Sequence, residues 1–181
     1  MFIDPAETAL VVIDLQERLA PAMSDFETCA DRAELLLKGA AELGLDVLVT
    51  EQYPKGLGPT LPRFTELLPA GTPVVAKTGF SCFEEPGFRT ALAARSRKTL
   101  VFCGIESHVC VLQSVLDALD RGFRVCLAAD AVTSRKLSDR ELALQTARTA
   151  GALTVSSEAL LFMMLRDAKN PAFKAVSKLV R

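Results

Sequence analysis

Six short, continuous runs of apolar and largely β-branched residues recur along the chain, and stretches with helical spacing separate most of them. Runs of this kind are typical of parallel strands that are buried on both faces of a sheet. They fall at residues 9–13, 45–49, 73–76, 99–103, 124–129 and 152–155. Helices are predicted at residues 28–43, 88–94, 107–121, 139–150 and 156–165, with a short tail helix at 171–180. The alternation predicts an α/β fold in which helices cover both faces of a parallel sheet.

The chain has 181 residues, close to the size of one ordinary domain, so we predict a single domain over residues 1–181. Apolar residues make up 50% of it, which excludes an intrinsically disordered chain. The 21 Lys and Arg nearly balance the 22 Asp and Glu, and no block of like charge occurs. We therefore expect a small-molecule partner, with no nucleic acid and no membrane surface.

Two further features concern the compartment and the assembly. The apolar runs are shorter than the roughly 18 residues of a membrane span, and the first ten residues show no secretory signal pattern. The cysteines are odd in number and form no Cys-x-x-Cys pair, which predicts free thiols and a cytoplasmic location. The mean hydropathy of +0.27 is high for a small chain, so we expect a homo-oligomer. The cysteines are Cys29, Cys82, Cys103, Cys110 and Cys126.

The alternation of elements breaks at residues 51–73, which are rich in proline and glycine. This composition predicts a long loop and no regular element. Long loops inside compact domains are often functional. A plain solvent-exposed connection between the second and third strands is an equal alternative.

Ligands of open α/β sheets bind beyond the carboxyl ends of the strands, so polar residues that follow the apolar runs are the candidates for chemistry. Asp14 is either a base or a turn cap, and Lys77 is either its charge partner or a solvated side chain. With Ser107 as the N-cap, Cys110 lies near the third helical position, where the helix dipole favours a thiolate. Structural burial is the alternative for Cys110, and we assign Cys103 and Cys126, which lie inside predicted strands, to the core.

Together, Cys110, Asp14 and Lys77 supply a nucleophile, a proton acceptor and an orienting cation at one edge of the sheet. Gly104 allows a tight turn before the helix, whose backbone amides could face a developing oxyanion. These residue types in this order indicate hydrolysis through a thioester.

Three segments carry a resemblance to a known family: LVVIDLQERL, VVAKTGFSCF and FCGIESHVCVLQSVLDALDRGFRVCLAADAVTSR. They resemble the isochorismatase-like cysteine hydrolases, which include nicotinamidases, over nearly the whole chain. The resemblance implies a three-layer, Rossmann-like fold with a six-stranded parallel sheet and a triad at Cys110, Asp14 and Lys77. It also implies a cis peptide bond between Ile105 and Glu106, and an oxyanion hole formed by the amides of Glu106 and Cys110.

The chain departs from the nicotinamidase pattern, in which an Asp and two His hold a metal after the second strand. Residues 50–72 contain neither Asp nor His, so we expect no metal of that kind and no cofactor, and nicotinamide is disfavoured as a substrate. The segments TEQYPKGLGPT and GIESHVCVLQ resemble the isochorismatase-domain-containing members of the family. The single histidine, His108, lies two residues from Cys110, a spacing at which helical side chains do not face each other, so we assign it to rim or subunit contacts. Asp130 we interpret as structural, fixing the loop ahead of helix 139–150.

The sequence thus supports two hypotheses of different classes. The first is a metal-independent cysteine hydrolase that cleaves a small amide or related carbonyl substrate, with Asp14 as the base and Lys77 as its orienting cation. The second is a ligand-binding or scaffold protein that has kept the fold and lost turnover. A nucleotide-binding protein is disfavoured, because no Gly-x-Gly-x-x-Gly follows the first strand.

Overall fold

A computed structural model describes residues 3–181. Met1 and Phe2, which begin the segment in which we predict no secretory signal, lie outside the described residues. Six strands form one parallel sheet: β1 (Thr8–Ile13), β2 (Asp46–Gln52), β3 (Val74–Lys77), β4 (Thr99–Ile105), β5 (Arg124–Thr133) and β6 (Leu153–Val155). Their spatial order is β3-β2-β1-β4-β5-β6. The predicted six-stranded, Rossmann-like sheet is confirmed.

Helices cover both faces of this sheet and complete the predicted three-layer fold. They are α1 (Phe26–Leu43), α2 (Pro54–Leu57), α3 (Pro62–Thr65), α4 (Pro86–Ala93), α5 (Leu112–Asp120), α6 (Leu137–Ala150), α7 (Ser157–Leu165) and α8 (Phe173–Leu179). One face packs against α1, α7 and α8, and the other packs against α4, α5 and α6. Among residues 3–181, no helix combines the length and the apolar character that crossing a membrane requires.

The apolar strand runs are continuous because each strand contributes to two cores. In β1, Leu10 and Val12 belong to the core beneath α1 and α7, whereas Val11 and Ile13 belong to the core beneath α4 and α5. All four side chains are buried. A strand with both faces covered has no solvent side on which polar residues could alternate.

The strand order reverses direction between β1 and β4, and this creates the crevice in which such sheets bind ligands. Gly104, near the end of β4, has φ of +119°. A Cβ atom on this residue would lie 2.0 Å from the main-chain oxygen of Ile13. Only glycine therefore allows the ends of β1 and β4 to approach this closely.

The structure corrects the prediction that residues 51–73 lack regular elements. The segment contains the end of β2 and the two single-turn helices α2 and α3. Each of these helices begins at a proline, Pro54 or Pro62. Proline fits the first helical position, because its fixed φ suits a helix and its missing N–H would have no helical partner there. The prolines that suggested an irregular loop instead start two short helices.

Candidate active site

Asp14 directly follows β1, and its backbone has a left-handed φ of 50°, which Asp tolerates better than most residues. Its side chain is fully buried. One carboxylate oxygen accepts a hydrogen bond from the Thr50 hydroxyl at 2.6 Å, and the other accepts one from Lys77 Nζ at 2.8 Å. Thr50 comes from the adjacent strand β2 and Lys77 from β3, the next strand beyond it, and the contact with Lys77 favours the paired charge over the turn cap.

Lys77 is the last residue of β3 and points toward the central strands. Its Nζ donates to Asp14, to Gln52 Oε1 at 2.6 Å and to the Phe80 carbonyl at 3.0 Å. The side chains of Lys77 and Asp14 are both 0% exposed. The alternative of a solvated surface lysine is therefore wrong, and the site contains an ion pair shielded from water.

Cys110 lies in a π-helical turn, Ser107–Val111, between β4 and α5. The peptide bond between Ile105 and Glu106, just before this turn, is cis. The prediction of Ser107 as the N-cap is wrong, because the cap residue is Glu106 and Ser107 is the first helical residue. The Ser107 hydroxyl is buried and makes no hydrogen bond. The helical segment thus begins one residue earlier than predicted from the sequence, and Cys110 is its fourth residue.

Gln52, at the end of β2, connects the cysteine to the ion pair. The Cys110 thiol donates to Gln52 Oε1 at a sulfur-to-oxygen distance of 3.9 Å, and Lys77 donates to the same oxygen. The structure therefore brings Asp14, Lys77 and Cys110 into one hydrogen-bonded network. Gln52 was not among the predicted site residues, because residues 51–73 were predicted to form a loop and the end of β2 was placed before them.

The Cys110 thiol is buried, with 6% of the residue exposed. Burial above all, and then the negative charge of Asp14, raise its pKa to about 12, and Lys77 opposes the shift. The expectation of a thiolate stabilised by the helix start is therefore wrong for the resting site. A thiol in this setting needs a base at the moment of attack, and Asp14 is the carboxylate whose charge acts on it.

Of the two amides proposed for an oxyanion hole, that of Glu106 immediately precedes the π-helical turn and that of Cys110 lies within it. The Glu106 carbonyl accepts hydrogen bonds from the amides of Val109, at 3.1 Å, and Val111, at 3.2 Å. Val109 and Val111 flank Cys110 in the sequence. The two hydrogen bonds to this carbonyl therefore come from the residues on either side of the cysteine. The Glu106 carboxylate accepts a hydrogen bond from Arg135 Nε at 3.0 Å.

Two other predicted residues have structural partners. Nδ1 of His108 lies 3.0 Å from the Ser134 hydroxyl, and its Nε2 lies 4.0 Å from the Asp139 carboxylate. Asp130 is structural, as expected, but it fixes a different element. Its carboxylate accepts hydrogen bonds from the Ser157 amide at 2.7 Å and hydroxyl at 2.9 Å, at the start of α7. The predicted loop ahead of α6 is not its partner.

The donor set of a nicotinamidase-type metal does not fit this chain. Glu51, the carboxylate nearest the position of that metal in the sequence, accepts hydrogen bonds from the Thr60 amide at 2.7 Å and hydroxyl at 2.9 Å. His108 is engaged with Ser134. Within residues 3–181, no three His, Cys, Asp or Glu side chains cluster in a way that could hold a metal ion.

Comparison with known proteins agrees with this fold. A family model described as the Isochorismatase domain matches residues 8–159. The chain is 39% identical over 178 residues to isochorismatase domain-containing protein 2A of Mus musculus, a match that covers 98% of this chain and 84% of the relative. The chain therefore belongs to the isochorismatase family, and this membership indicates a hydrolase.

Two solved structures have nearly the same fold. The MAR1 ribonuclease from Caenorhabditis elegans is 39% identical, with a TM-score of 0.94 over 99% of this chain and 92% of that one. YcaC from Pseudomonas aeruginosa, solved with hexane-2,5-diol and covalent acrylamide, is 26% identical. Its TM-score is 0.91 over 98% of this chain and 91% of that one. The relatives share the fold, but their names indicate no common substrate.

Proposed function

We propose that the protein is a metal-independent cysteine hydrolase that cleaves a small amide or related carbonyl compound through a thioester. The observation that carries the proposal is the fully buried Asp14–Lys77 ion pair joined through Gln52 to the Cys110 thiol. Burying two charges is unfavourable unless they are well paired, and such pairs are often found where chemistry needs them.

The proposed reaction begins with transfer of the Cys110 thiol proton to the Asp14 carboxylate. The sulfur attacks the carbonyl carbon, and the oxyanion that forms collapses to a thioester as the amine leaves with the proton from Asp14. Water then attacks the thioester, with Asp14 accepting its proton. The acid is released and the proton returns to sulfur, so one amide and one water yield one acid and one amine.

Lys77 and the turn amides have supporting roles in this proposal. The Lys77 ammonium holds the Asp14 carboxylate in place and compensates its charge while the proton is elsewhere. The main-chain N–H groups of Glu106 and Cys110 are the proposed oxyanion donors. Amides of a fixed turn are suited to this role, because they need no reorganisation when charge develops.

A second candidate is a binding protein of the same fold without turnover. The high pKa of the Cys110 thiol and its 6% exposure favour this reading, because a protonated and shielded sulfur is a poor nucleophile without an efficient base. RNA must also be tested as a substrate, because the C. elegans structure is that of a ribonuclease.

We also propose a homo-oligomer, and the sheet edge supports it. Strand β3 is an edge strand on which Val74 and Ala76 are exposed, and Tyr53 and Phe80, next to the ends of β2 and β3, are exposed as well. Exposed apolar edge strands favour pairing with another copy. The single domain over residues 1–181 and the cytoplasmic location stay predictions.

The test is a screen of the purified protein against a panel of small amides, with release of ammonia or amine as the readout and a labelled RNA as a parallel substrate. The proposal predicts turnover of an amide that is lost in Cys110→Ala, Asp14→Asn and Lys77→Ala, while circular dichroism shows the fold unchanged. Asparagine cannot accept the proton, and Lys77→Ala removes the partner of the carboxylate. Amide turnover that persists in Cys110→Ala, or cleavage of RNA alone, would overturn it.

A further inference from the structure

Gln52 occupies a junction in the site, because its side-chain oxygen has two donors. Lys77 Nζ donates to it at 2.6 Å and the Cys110 thiol donates to it at 3.9 Å. At the other end of the amide, Nε2 donates to the Thr78 carbonyl at 2.8 Å. Because a carbonyl can only accept, this contact fixes the amide with its oxygen toward the lysine and the cysteine.

The side-chain amide of Gln16 holds the main chain of Gln52. Gln16 Oε1 accepts the Gln52 N–H at 2.7 Å, and Gln16 Nε2 donates to the Gln52 carbonyl at 3.0 Å and to the Gly58 carbonyl at 2.6 Å. Gln16 is fully buried, so water does not compete for these contacts. Gln52 is thus fixed at both its main chain and its side chain, as a positioning group must be.

We propose that Gln52 is a positioning residue that stores the Cys110 nucleophile as a thiol. This inference rests on the proposed function, because it assumes that Cys110 is the nucleophile. Gln52 Oε1 faces the sulfur and favours the S–H form, because the lone pairs of this oxygen would repel a thiolate that has no proton to donate. Within residues 3–181, the charged groups that act on the thiol are Asp14, which disfavours the thiolate, and Lys77, which favours it. By accepting an N–H of Lys77, Gln52 also weakens the attraction between the Lys77 ammonium and a thiolate at Cys110.

This role predicts opposite effects for two substitutions of similar length. Gln52→Met removes the acceptor from the thiol and frees one N–H of Lys77, and both changes favour the thiolate. Gln52→Glu places a second carboxylate beside Lys77 and the sulfur, which disfavours the thiolate. A residue that only filled space would give changes of the same sign in both variants, because each would loosen the site.

The test is the rate of iodoacetamide alkylation at Cys110, measured by peptide mass spectrometry from about pH 7 to about pH 10. At pH values below the thiol pKa, this rate rises about tenfold per pH unit. We expect Gln52→Met to react about tenfold faster than the unmodified protein, and Gln52→Glu about tenfold slower. Gln145→Glu, an exposed position on α6, is the matched control and should change nothing. Melting temperatures report whether each variant is folded.

The outcomes separate this inference from the proposed function, because alkylation needs no substrate. Equal rates in all variants, or changes of the same sign in Gln52→Met and Gln52→Glu, would overturn the storage role and leave Cys110 a candidate nucleophile. If Cys110 takes no label in any variant, the nucleophile itself is wrong, and the storage role falls with it. Slow labelling that accelerates only in Gln52→Met supports both.

Discussion

Replacing Lys77 by Met tests the buried ion pair directly, because methionine keeps the length of the side chain and removes its charge. The two charges lie 2.8 Å apart with both side chains fully buried. At an effective dielectric constant of about 20, their attraction is about 6 kcal/mol, and desolvation of both groups offsets much of it. Because the substitution leaves Asp14 as an uncompensated buried charge, we expect the free energy of unfolding to fall by about 3–5 kcal/mol.

A double-mutant cycle with Asp14→Asn separates the pair from the rest of the site. Asparagine removes the negative charge with little change in shape, so the double variant contains no buried charge at this position. We expect the double variant to be destabilised less than the sum of the two single variants, by about 2 kcal/mol. Urea unfolding followed by circular dichroism is the assay, because the chain has no Trp. Additive effects, within about 0.5 kcal/mol, would refute the coupling of these charges.

Three further predictions concern the frame around the site. Gly104→Ala should lower the free energy of unfolding by about 2 kcal/mol more than Gly151→Ala. Both glycines have φ above 100°, but only Gly104 lies against the Ile13 main chain. Equal losses in urea unfolding would contradict the close approach of β1 and β4. Asp130→Ala should cost about 1–2 kcal/mol by removing the contacts with Ser157 at the start of α7, and an unchanged melting temperature would be inconsistent with that role. Light scattering at micromolar concentration should give a mass above that of one 19.5 kDa chain, and a monomeric mass would rule out the homo-oligomer.

The sheet could be predicted from the sequence because its strands are buried on both faces and read as unbroken apolar runs. Predicted strand 9–13 differs from β1 by one residue at its start. In contrast, β5 was predicted to end before Asp130 and continues to Thr133. A charged residue is a poor interior strand residue only when it has no partner, and the partner here, Ser157, is 27 residues away. Local patterns do not contain that contact.

Three residues of the candidate site were predicted from the sequence, but the hydrogen bonds through Gln52 that connect them were not. Asp14, Lys77 and Cys110 stand out because each lies at or beyond the carboxyl end of a strand, and these ends share one edge when the sheet is parallel. Gln52 ends β2 at the same edge, but the proline-rich stretch after it concealed the end of the strand. The expected thiolate at Cys110 followed from the helix start alone. Burial and the charge of Asp14 outweigh that effect, and both depend on tertiary packing.

Identifying the most reactive thiol tests the central claim that Cys110 is the nucleophile. Burial raises the pKa of all five cysteines, so accessibility and a neighbouring base decide which one reacts. Cys110 is the most exposed of the five and is the one that donates to Gln52 within the Asp14–Lys77 network. Brief treatment with substoichiometric iodoacetamide at neutral pH, followed by peptide mapping, should therefore find the label on Cys110. Label appearing first on Cys29 or Cys82 would contradict the account.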